Sequence, residues 1–153
     1  MKVENNLNIR TAQSYDLNSV FQLELNLFQP ENYPYFFIRQ AFDAMPETFL
    51  VAEIKDRLAG YTLGTLQAGR EEAWILSLAV SKERRRIGIG TRLIDKLLNS
   101  FKEKGAKSAM LHVAPTNRTA INLYSKKGFI EVQREADYFG KNQERLIMKV
   151  ELW

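Results

Sequence analysis

The segment "SLAVSKERRRIGIGTRLIDKLL", residues 77–98, joins an apolar run to an amphipathic helix through a loop that holds three arginines and two glycines. Apolar residues recur at helical spacing after the loop, which predicts a helix over about residues 88–104. The first amides of a helix lack acceptors, and glycine lets an anion approach the main chain closely. Since Arg84, Arg85 and Arg86 add full positive charge, the loop is a candidate site for a diphosphate.

The loop also has a plainer interpretation, as a solvated basic turn in which Gly88 and Gly90 serve only tight backbone geometry. The short motif alone does not decide between the two. Two better-known phosphate loops are excluded, because the dinucleotide-binding pattern needs a third glycine where Leu93 stands and a P-loop needs Gly-Lys-Ser/Thr after four residues. A phosphate site in this loop would therefore be of another kind.

Periodicity along the rest of the chain predicts a mixed α/β fold. The expected strands cover residues 7–11, 49–54, 61–66, 73–80, 109–113, about 129–134 and 146–152. The expected helices cover about 14–28, a short segment that stops before Pro46, 88–104 and 118–126. This order, βααβββαβαββ, implies a mixed sheet with helices on both faces in a single domain over residues 1–153.

Caps and apolar faces follow from the same pattern. Ser14 and Asn117 are expected to cap the first and last helices, and Gly105 to end the helix after the basic loop. The expected apolar face of the first helix consists of Leu17, Val20, Phe21, Leu25 and Phe28, and the alternating apolar positions of the strand over 73–80 are Leu76, Leu78 and Val80.

Composition limits the function. With 153 residues, of which 45% are hydrophobic, the chain is long enough for one core. Its N-terminus has no hydrophobic segment typical of a signal peptide, so we expect a cytoplasmic protein without a membrane partner. It contains no cysteine and one histidine, which excludes a cysteine nucleophile and leads us to expect no metal. The net charge of +4 is spread along the chain and gives little support for a nucleic-acid partner.

Two motifs at a fixed separation carry a family resemblance. Residues 85–90, "RRIGIG", match the acetyl-CoA signature Arg/Gln-x-x-Gly-x-Gly/Ala, and residues 111–129, "LHVAPTNRTAINLYSKKGF", match a second signature after the following strand. The chain thus resembles the GCN5-related N-acetyltransferase (GNAT) superfamily. Within it, "FQPENYPYFF" at residues 28–37 and "SLAV" at residues 77–80 are similar to protein N-terminal acetyltransferases, namely the archaeal N-alpha enzyme and the catalytic subunit of NatA.

The resemblance implies the GNAT fold, with a mostly antiparallel sheet splayed at its centre, and acetyl-CoA as the cosubstrate. Main-chain groups at the positions of Leu78 and Val80 bind the pantetheine arm in the family, Asn117 matches a contact to the CoA arm, and Tyr124 matches a residue near the thioester sulfur. The loop that binds the diphosphate corresponds to Arg85, Arg86, Ile87, Gly88, Ile89, Gly90 and Thr91.

The resemblance also implies a peptide substrate that binds around "PENY". Glu31, after Pro30, matches the glutamate that lies at the peptide amine in the NatA-like enzymes and is implicated in substrate placement or proton removal. Tyr33 and Tyr138 match aromatic walls of the peptide slot. The expected partners are therefore protein N-termini, with the ribosome or an auxiliary subunit as further candidates.

Two positions depart from the family pattern. Trp74 stands where relatives often have a histidine or tyrosine that relays a proton, and an indole can only donate. Ala114 replaces an arginine that commonly follows "LHV". We therefore expect this relay, and one contact at that strand end, to be missing.

Acetyl transfer needs a neutral amine and an acid that meets the departing thiolate. Tyr124 carries a phenolic proton for the sulfur, and Glu31 and His112 remain alternative bases. With ordinary pKa values, an α-amine is roughly a quarter neutral at pH 7.5, whereas a lysine is only about 0.1% neutral. Because an α-amine tolerates a weak base, the missing relay favours N-terminal over lysine acetylation.

Two other functions stay open at this stage. The same fold could acetylate lysine side chains or small amines, and a non-catalytic acyl-CoA-binding module could use the basic surface as an adaptor. Turnover on amines would separate the last of these from an enzyme.

Overall fold

The computed structural model describes residues 6–153, and within them seven strands and four α-helices follow the predicted order βααβββαβαββ. The strands are β1 (Leu7–Thr11), β2 (Phe49–Ile54), β3 (Arg57–Thr65), β4 (Glu72–Val80), β5 (Ser108–Val113), β6 (Ile130–Glu135) and β7 (Arg145–Glu151). The helices are α1 (Leu17–Phe28), α2 (Tyr35–Ala44), α3 (Ile89–Glu103) and α4 (Arg118–Lys126). Across these residues, none of the helices has the length and apolar character that crossing a bilayer requires.

The strands pair in the order β1-β2-β3-β4-β5-β7-β6. The pairs β1–β2, β2–β3, β5–β7 and β6–β7 are antiparallel, whereas β4 and β5 are parallel. The β4–β5 ladder joins residues 72–75 to residues 108–111, and β4 continues beyond it to Val80. The predicted fold class, an α/β chain with a mixed and mostly antiparallel sheet, is confirmed.

The chain divides into two compact units. The first comprises the residues up to Gly64 together with Ser77–Leu97, and the second comprises Thr65–Leu76 together with Leu98–Trp153. Both β4 and α3 pass from one unit into the other. The single domain expected over residues 1–153 stays a prediction.

In the first unit, α1 begins later than its sequence suggests. Ser14 lies in a short 3-10 turn, Ser14–Asp16, and does not cap the α-helix as predicted. The Asp16 carboxylate instead accepts a hydrogen bond from the main-chain N–H of Gln13 at 2.7 Å and pairs with Arg10 at 2.8 Å. The Asp16 side chain thus closes the turn that precedes α1, and within the described residues α1 itself has no side-chain cap.

The face that α1 buries is shifted from the predicted one. Leu17 and Val20 are buried as expected, but Leu23 and Glu24 complete the buried face, and Leu25 is only half-buried. The spacing of three from Leu17 through Val20 continues to Leu23, and the neighbouring glutamate is carried into the core with it. A buried carboxyl group is therefore part of this helix interface.

β3 begins four residues earlier than predicted, because a two-residue turn connects it to β2. Lys55 and Asp56 have φ of 51° and 63°, the left-handed pair that a tight hairpin turn requires. Gly60, which the prediction leaves just outside the strand, lies inside β3. A Cβ atom there would lie 2.7 Å from the carbonyl oxygen of Ala79, so glycine permits the close approach of β3 to β4.

In the second unit, β5 and β7 pair in a register that places His112 opposite Ile147. Asn117 caps α4 as predicted, since its Oδ1 accepts the Ala120 N–H at 3.2 Å. Gly128 ends that helix with φ of 93°. The elements that carry the second sequence motif are therefore built by the local signals that the sequence shows.

Candidate active site

The loop before α3 has the backbone conformation that an anion site needs. Arg86 and Gly88 have φ of 69° and 85°, both in the left-handed region, and α3 begins directly afterwards. The Gly88 carbonyl accepts the Arg92 N–H at 3.0 Å, which leaves the amides of residues 88–91 without acceptors inside the helix. Left-handed residues turn neighbouring amides to one side, so residues 85–91 form a candidate diphosphate site.

Side chains around this loop leave it open and positively charged. A Cβ atom at Gly88 would meet nothing within 4 Å, so its backbone conformation, and not packing, calls for glycine. Arg85 and Arg86 are exposed, and Arg85 Nε donates to the Val80 carbonyl oxygen at 3.3 Å. The residues present therefore fit a polyanionic group such as the diphosphate of CoA.

The end of β4 in this unit presents an apolar face that is not closed. Ala79 is buried, whereas Leu78 and Val80 are half-buried. The alternation that the sequence shows at Leu78 and Val80 thus marks the more open face of the strand, and the small residue between them faces the core. An open apolar face beside an anion site suits the pantetheine arm.

The loop over residues 29–34 carries the residues predicted to meet the peptide. Pro30 and Glu31 are exposed, and the Glu31 N–H donates to the Phe28 carbonyl oxygen at 2.8 Å. Tyr33 is half-buried and stacks on Phe37, with ring centroids 4.5 Å apart. Burial, and then the charge of Glu24, raise the pKa of Tyr33 to about 12.

Glu24 lies next to this loop and was missed by the sequence analysis. The Tyr61 hydroxyl donates to Glu24 Oε1 at 2.8 Å and lies 2.8 Å from Ser77 Oγ. Burial raises the pKa of Glu24 to about 7, against the opposing effect of hydrogen bonds from Tyr61 and from the main chain of Tyr33. The signal that could have found it is a lone acidic residue between Leu23 and Leu25 in a helix with polar residues elsewhere.

In the second unit, His112 is enclosed by two aromatic rings. Its ring centroid lies 5.6 Å from that of Tyr138 and 4.6 Å from that of Phe139. Burial, and then the charge of Arg145, lower the pKa of His112 to about 4. The imidazole is therefore neutral at neutral pH and holds a proton only weakly.

Tyr124 and Asn117 lie on α4 and at its start. Tyr124 is 6% exposed and packs against Phe129, and burial raises the pKa of its phenol well above the ordinary value. The phenol keeps its proton at neutral pH and can donate it. Asn117 is exposed, and its Oδ1 is occupied by the helix cap.

The predicted site residues fall into two groups. The first unit brings together the peptide loop with Pro30, Glu31 and Tyr33, and the cosubstrate segments with Leu78, Val80 and residues 85–91. The second unit brings His112 and Tyr138 into contact and holds Tyr124 on α4 and Asn117 at its N-cap. The roles given to these residues stay predictions.

Comparison with known sequences identifies the family. The profile of the Acetyltransferase (GNAT) family matches residues 15–129. An N-alpha-acetyltransferase of Sulfurisphaera tokodaii is 31% identical, with the match covering 94% of this chain and 92% of the relative.

Solved structures agree with this match. Ard1 from Thermoplasma volcanium has a TM-score of 0.89 and 28% identity, covering 97% of this chain and 99% of its own. Naa50 of Arabidopsis thaliana, in complex with the bisubstrate analogue CoA-Ac-MVNAL, has a TM-score of 0.82 and covers 95% of this chain and 98% of its own; at 22% identity it shows the fold alone. The chain belongs to the Acetyltransferase (GNAT) family and, within it, to the N-alpha-acetyltransferases.

Proposed function

We propose that this N-alpha-acetyltransferase transfers the acetyl group of acetyl-CoA directly to the N-terminal α-amine of protein chains, and that residues 1–153 act as one functional domain. The observation that carries the proposal is the loop before α3, where Arg86 and Gly88 have left-handed φ directly before the open amides of the helix. This loop lies in a chain similar to N-alpha-acetyltransferases over nearly its whole length.

The cosubstrate is assigned to three segments. Residues 85–91 hold the diphosphate, the main chain of Leu78 and Val80 holds the pantetheine arm, and the side-chain NH₂ of Asn117 contacts the CoA arm. Acetyl-CoA supplies the thioester carbonyl that the amine attacks. Because the chain has no cysteine, the acetyl group passes to the amine without a thioester on the enzyme.

Proton transfer is assigned to Tyr124 and to either Glu31 or His112. Tyr124 keeps its proton at neutral pH and donates it to the departing thiolate. Neutral His112 can accept a hydrogen bond from the amine but binds a proton weakly, and Glu31 is exposed in the peptide loop. An α-amine, which is about a quarter neutral at pH 7.5, needs no stronger base.

The peptide is assigned to Pro30, Glu31, Tyr33 and Tyr138, which we call the peptide slot residues. The two tyrosines supply flat walls with hydroxyl groups at their ends, which suits an extended peptide whose first residue varies. Protein N-termini are accordingly the proposed partner class.

The test is acetylation by the isolated chain. Peptides that begin with Ser, Ala, Met or Glu are incubated with acetyl-CoA, beside copies with a blocked N-terminus and a free lysine. We expect the label on the free α-amines only. Acetylation of the blocked copies alone would overturn the proposal in favour of a lysine acetyltransferase, and CoA binding without turnover on any amine would favour a non-catalytic module. Turnover by the isolated chain would also show that no auxiliary subunit is required.

A further inference from the structure

The carboxyl group of Glu24 is buried without the partners that its charge requires. The residue is 1% exposed, and its Oε2 has no hydrogen-bond partner within residues 6–153. The groups that act on it are the Tyr61 hydroxyl and the main chain of Tyr33, and no arginine, lysine or histidine of the described chain is among them. An uncompensated carboxylate in an apolar interior is costly, so packing does not explain a glutamate here.

The hydrogen bonds of Glu24 connect three elements of the first unit. Tyr61 on β3 has one phenolic proton, which it gives to Glu24 Oε1, so Ser77 on β4 donates the bond between its own hydroxyl and that of Tyr61. Glu24 on α1 therefore ends a chain of hydrogen bonds that begins at the first residue of the "SLAV" segment. These two hydrogen bonds fix the position of the carboxyl group.

The main-chain N–H of Tyr33 brings the carboxyl group to the peptide loop, since it too donates a hydrogen bond to Glu24. Tyr33 is two residues from Glu31, and both belong to the loop over residues 29–34. A carboxylate accepts a hydrogen bond about twice as strongly as a neutral acceptor. The charge on Glu24 therefore adds to the contacts that hold this loop. The others include the hydrogen bond from the Glu31 N–H to Phe28 and the stacking of Tyr33 on Phe37.

We propose that Glu24 is a positioning residue for the peptide slot: its carboxylate, fixed by Tyr61, holds the main chain of Tyr33 and thereby keeps Glu31 where a peptide N-terminus binds. The inference rests on the proposed function, because it concerns the same slot. It adds a residue of the helix core to a site whose other members are exposed or half-buried.

The positioning depends on pH, because Glu24 changes charge near neutrality. Burial raises its pKa to about 7, and the groups that face it are Tyr61, Ser77 beyond it, and Tyr33, whose phenols stay neutral in this range. Below pH 7 the carboxyl group becomes neutral and the loop is held less firmly. Peptide binding therefore weakens in acid for a reason separate from the protonation of the peptide's own amine.

The test compares wild type with Glu24→Gln on one peptide from pH 6 to pH 8. We expect the KM of the variant for peptide to be about tenfold higher at pH 8, as for the loss of a hydrogen bond to a charged group, and the ratio to approach one at pH 6. The kcat and the affinity for CoA should change much less. Using the same peptide for both proteins cancels the ionisation of its α-amine, and Glu103→Gln, an exposed change on α3, is the matched control that should follow wild type.

Two further measurements test the role of Glu24 if the glutamine variant does not fold. Tyr61→Phe removes the donor that favours the carboxylate. As pH is lowered, its KM for peptide should therefore begin to rise at a higher pH than that of the wild type. In the wild type, the ¹³C resonance of the Glu24 carboxyl group should titrate near pH 7. Two results would overturn this inference and leave the proposed function in place. One is an active wild type whose KM differs from that of the variant by the same factor at every pH; the other is a Glu24 carboxyl group that titrates near its ordinary pKa. A wild type inactive on every free α-amine overturns the proposed function and this inference with it.

Discussion

Replacing Glu24 by glutamine should remove about 3 kcal/mol of pH dependence from the free energy of unfolding. Burial raises the pKa of this carboxyl group from 4.5 to about 7 in the folded chain. The unfolded chain exposes the group and gives it its ordinary value. A tenfold difference in proton affinity is worth about 1.4 kcal/mol, so the two values together correspond to about 3 kcal/mol.

The sign follows from which state binds the proton. Below pH 4.5 the carboxyl group is protonated in both states, so burying Glu24 places no charge in the folded state and does not lower its stability. Between pH 4.5 and about 7 the unfolded chain loses this proton while the folded chain keeps it, so the stability of the wild type falls as pH rises. Above pH 7 both states are ionised, and the loss is complete.

Urea unfolding of the wild type and Glu24→Gln at half-unit steps from pH 4.5 to pH 8 measures this effect. Glutamine keeps the acceptor for Tyr61 but buries an NH₂ group where Oε2 lay, which adds an offset of about 1–3 kcal/mol that does not depend on pH. The pKa of His112, lowered to about 4, produces the opposite trend, a loss of stability as pH falls below 6.5, but this residue is present in both proteins and cancels in the difference.

The difference in unfolding free energy between variant and wild type should therefore rise in favour of the variant by about 3 kcal/mol across this range and then level off. Glu103→Gln should run parallel to the wild type throughout. Two parallel curves for Glu24→Gln would refute the reasoning, because they would mean that the carboxyl group titrates in the folded chain as it does in the unfolded one.

Substitutions at three other positions test separate parts of the structure. Gly60→Ala should lower the unfolding free energy by about 1–3 kcal/mol, because its Cβ would meet the Ala79 carbonyl oxygen at 2.7 Å; thermal unfolding measures this, and an unchanged Tm would contradict the close approach of β3 and β4. Gly88→Val should weaken CoA binding far more than Gly88→Asn, because valine resists a φ of 85° and asparagine tolerates it; calorimetry that finds equal affinities would argue against the loop as the diphosphate site. Tyr124→Phe should reduce kcat about 100-fold or more with CoA affinity retained, as expected for the loss of a general acid, and steady-state kinetics with an unchanged kcat would remove Tyr124 from the mechanism.

The sequence predicts this fold well where a local signal and the burial pattern agree. α4 has the bounds Arg118–Lys126 in the prediction and in the structure, because Asn117 caps it and Gly128 ends it with a left-handed φ. The buried stripe of α3 likewise follows its periodicity, and Gly105 adopts φ of 93° after it. In these elements, short-range chemistry alone is sufficient to set the boundaries.

The sequence does not predict local structure that depends on contacts between different elements of the fold. Gly60 resembles a turn residue, but the neighbouring strand requires a glycine inside β3. Ser14 is a good cap by its type, but it lies in a 3-10 turn that the Asp16 carboxylate closes while it pairs with Arg10 of β1. Ala79 lies far from Gly60 in the sequence, so a window around Gly60 does not contain the cause. Arg10 lies only six residues before Asp16, but neither periodicity nor a capping rule indicates that the two pair.

In the candidate site, too, contacts in the folded chain change what residue type alone predicts about proton binding. Reference pKa values make histidine the residue that changes charge near pH 7, and the chain has one histidine, so attention falls on His112. Burial penalises the charged form of any group, which lowers the pKa of His112 to about 4 and raises that of Glu24 to about 7. Within residues 6–153, the pKa of a glutamate in a helix core is thus raised into the neutral range while that of the histidine is moved out of it. Any pH dependence of this enzyme between pH 6 and pH 8 should be sought first in Glu24 and in the substrate's own amine, and an assignment of that dependence to His112 from its residue type would be misplaced.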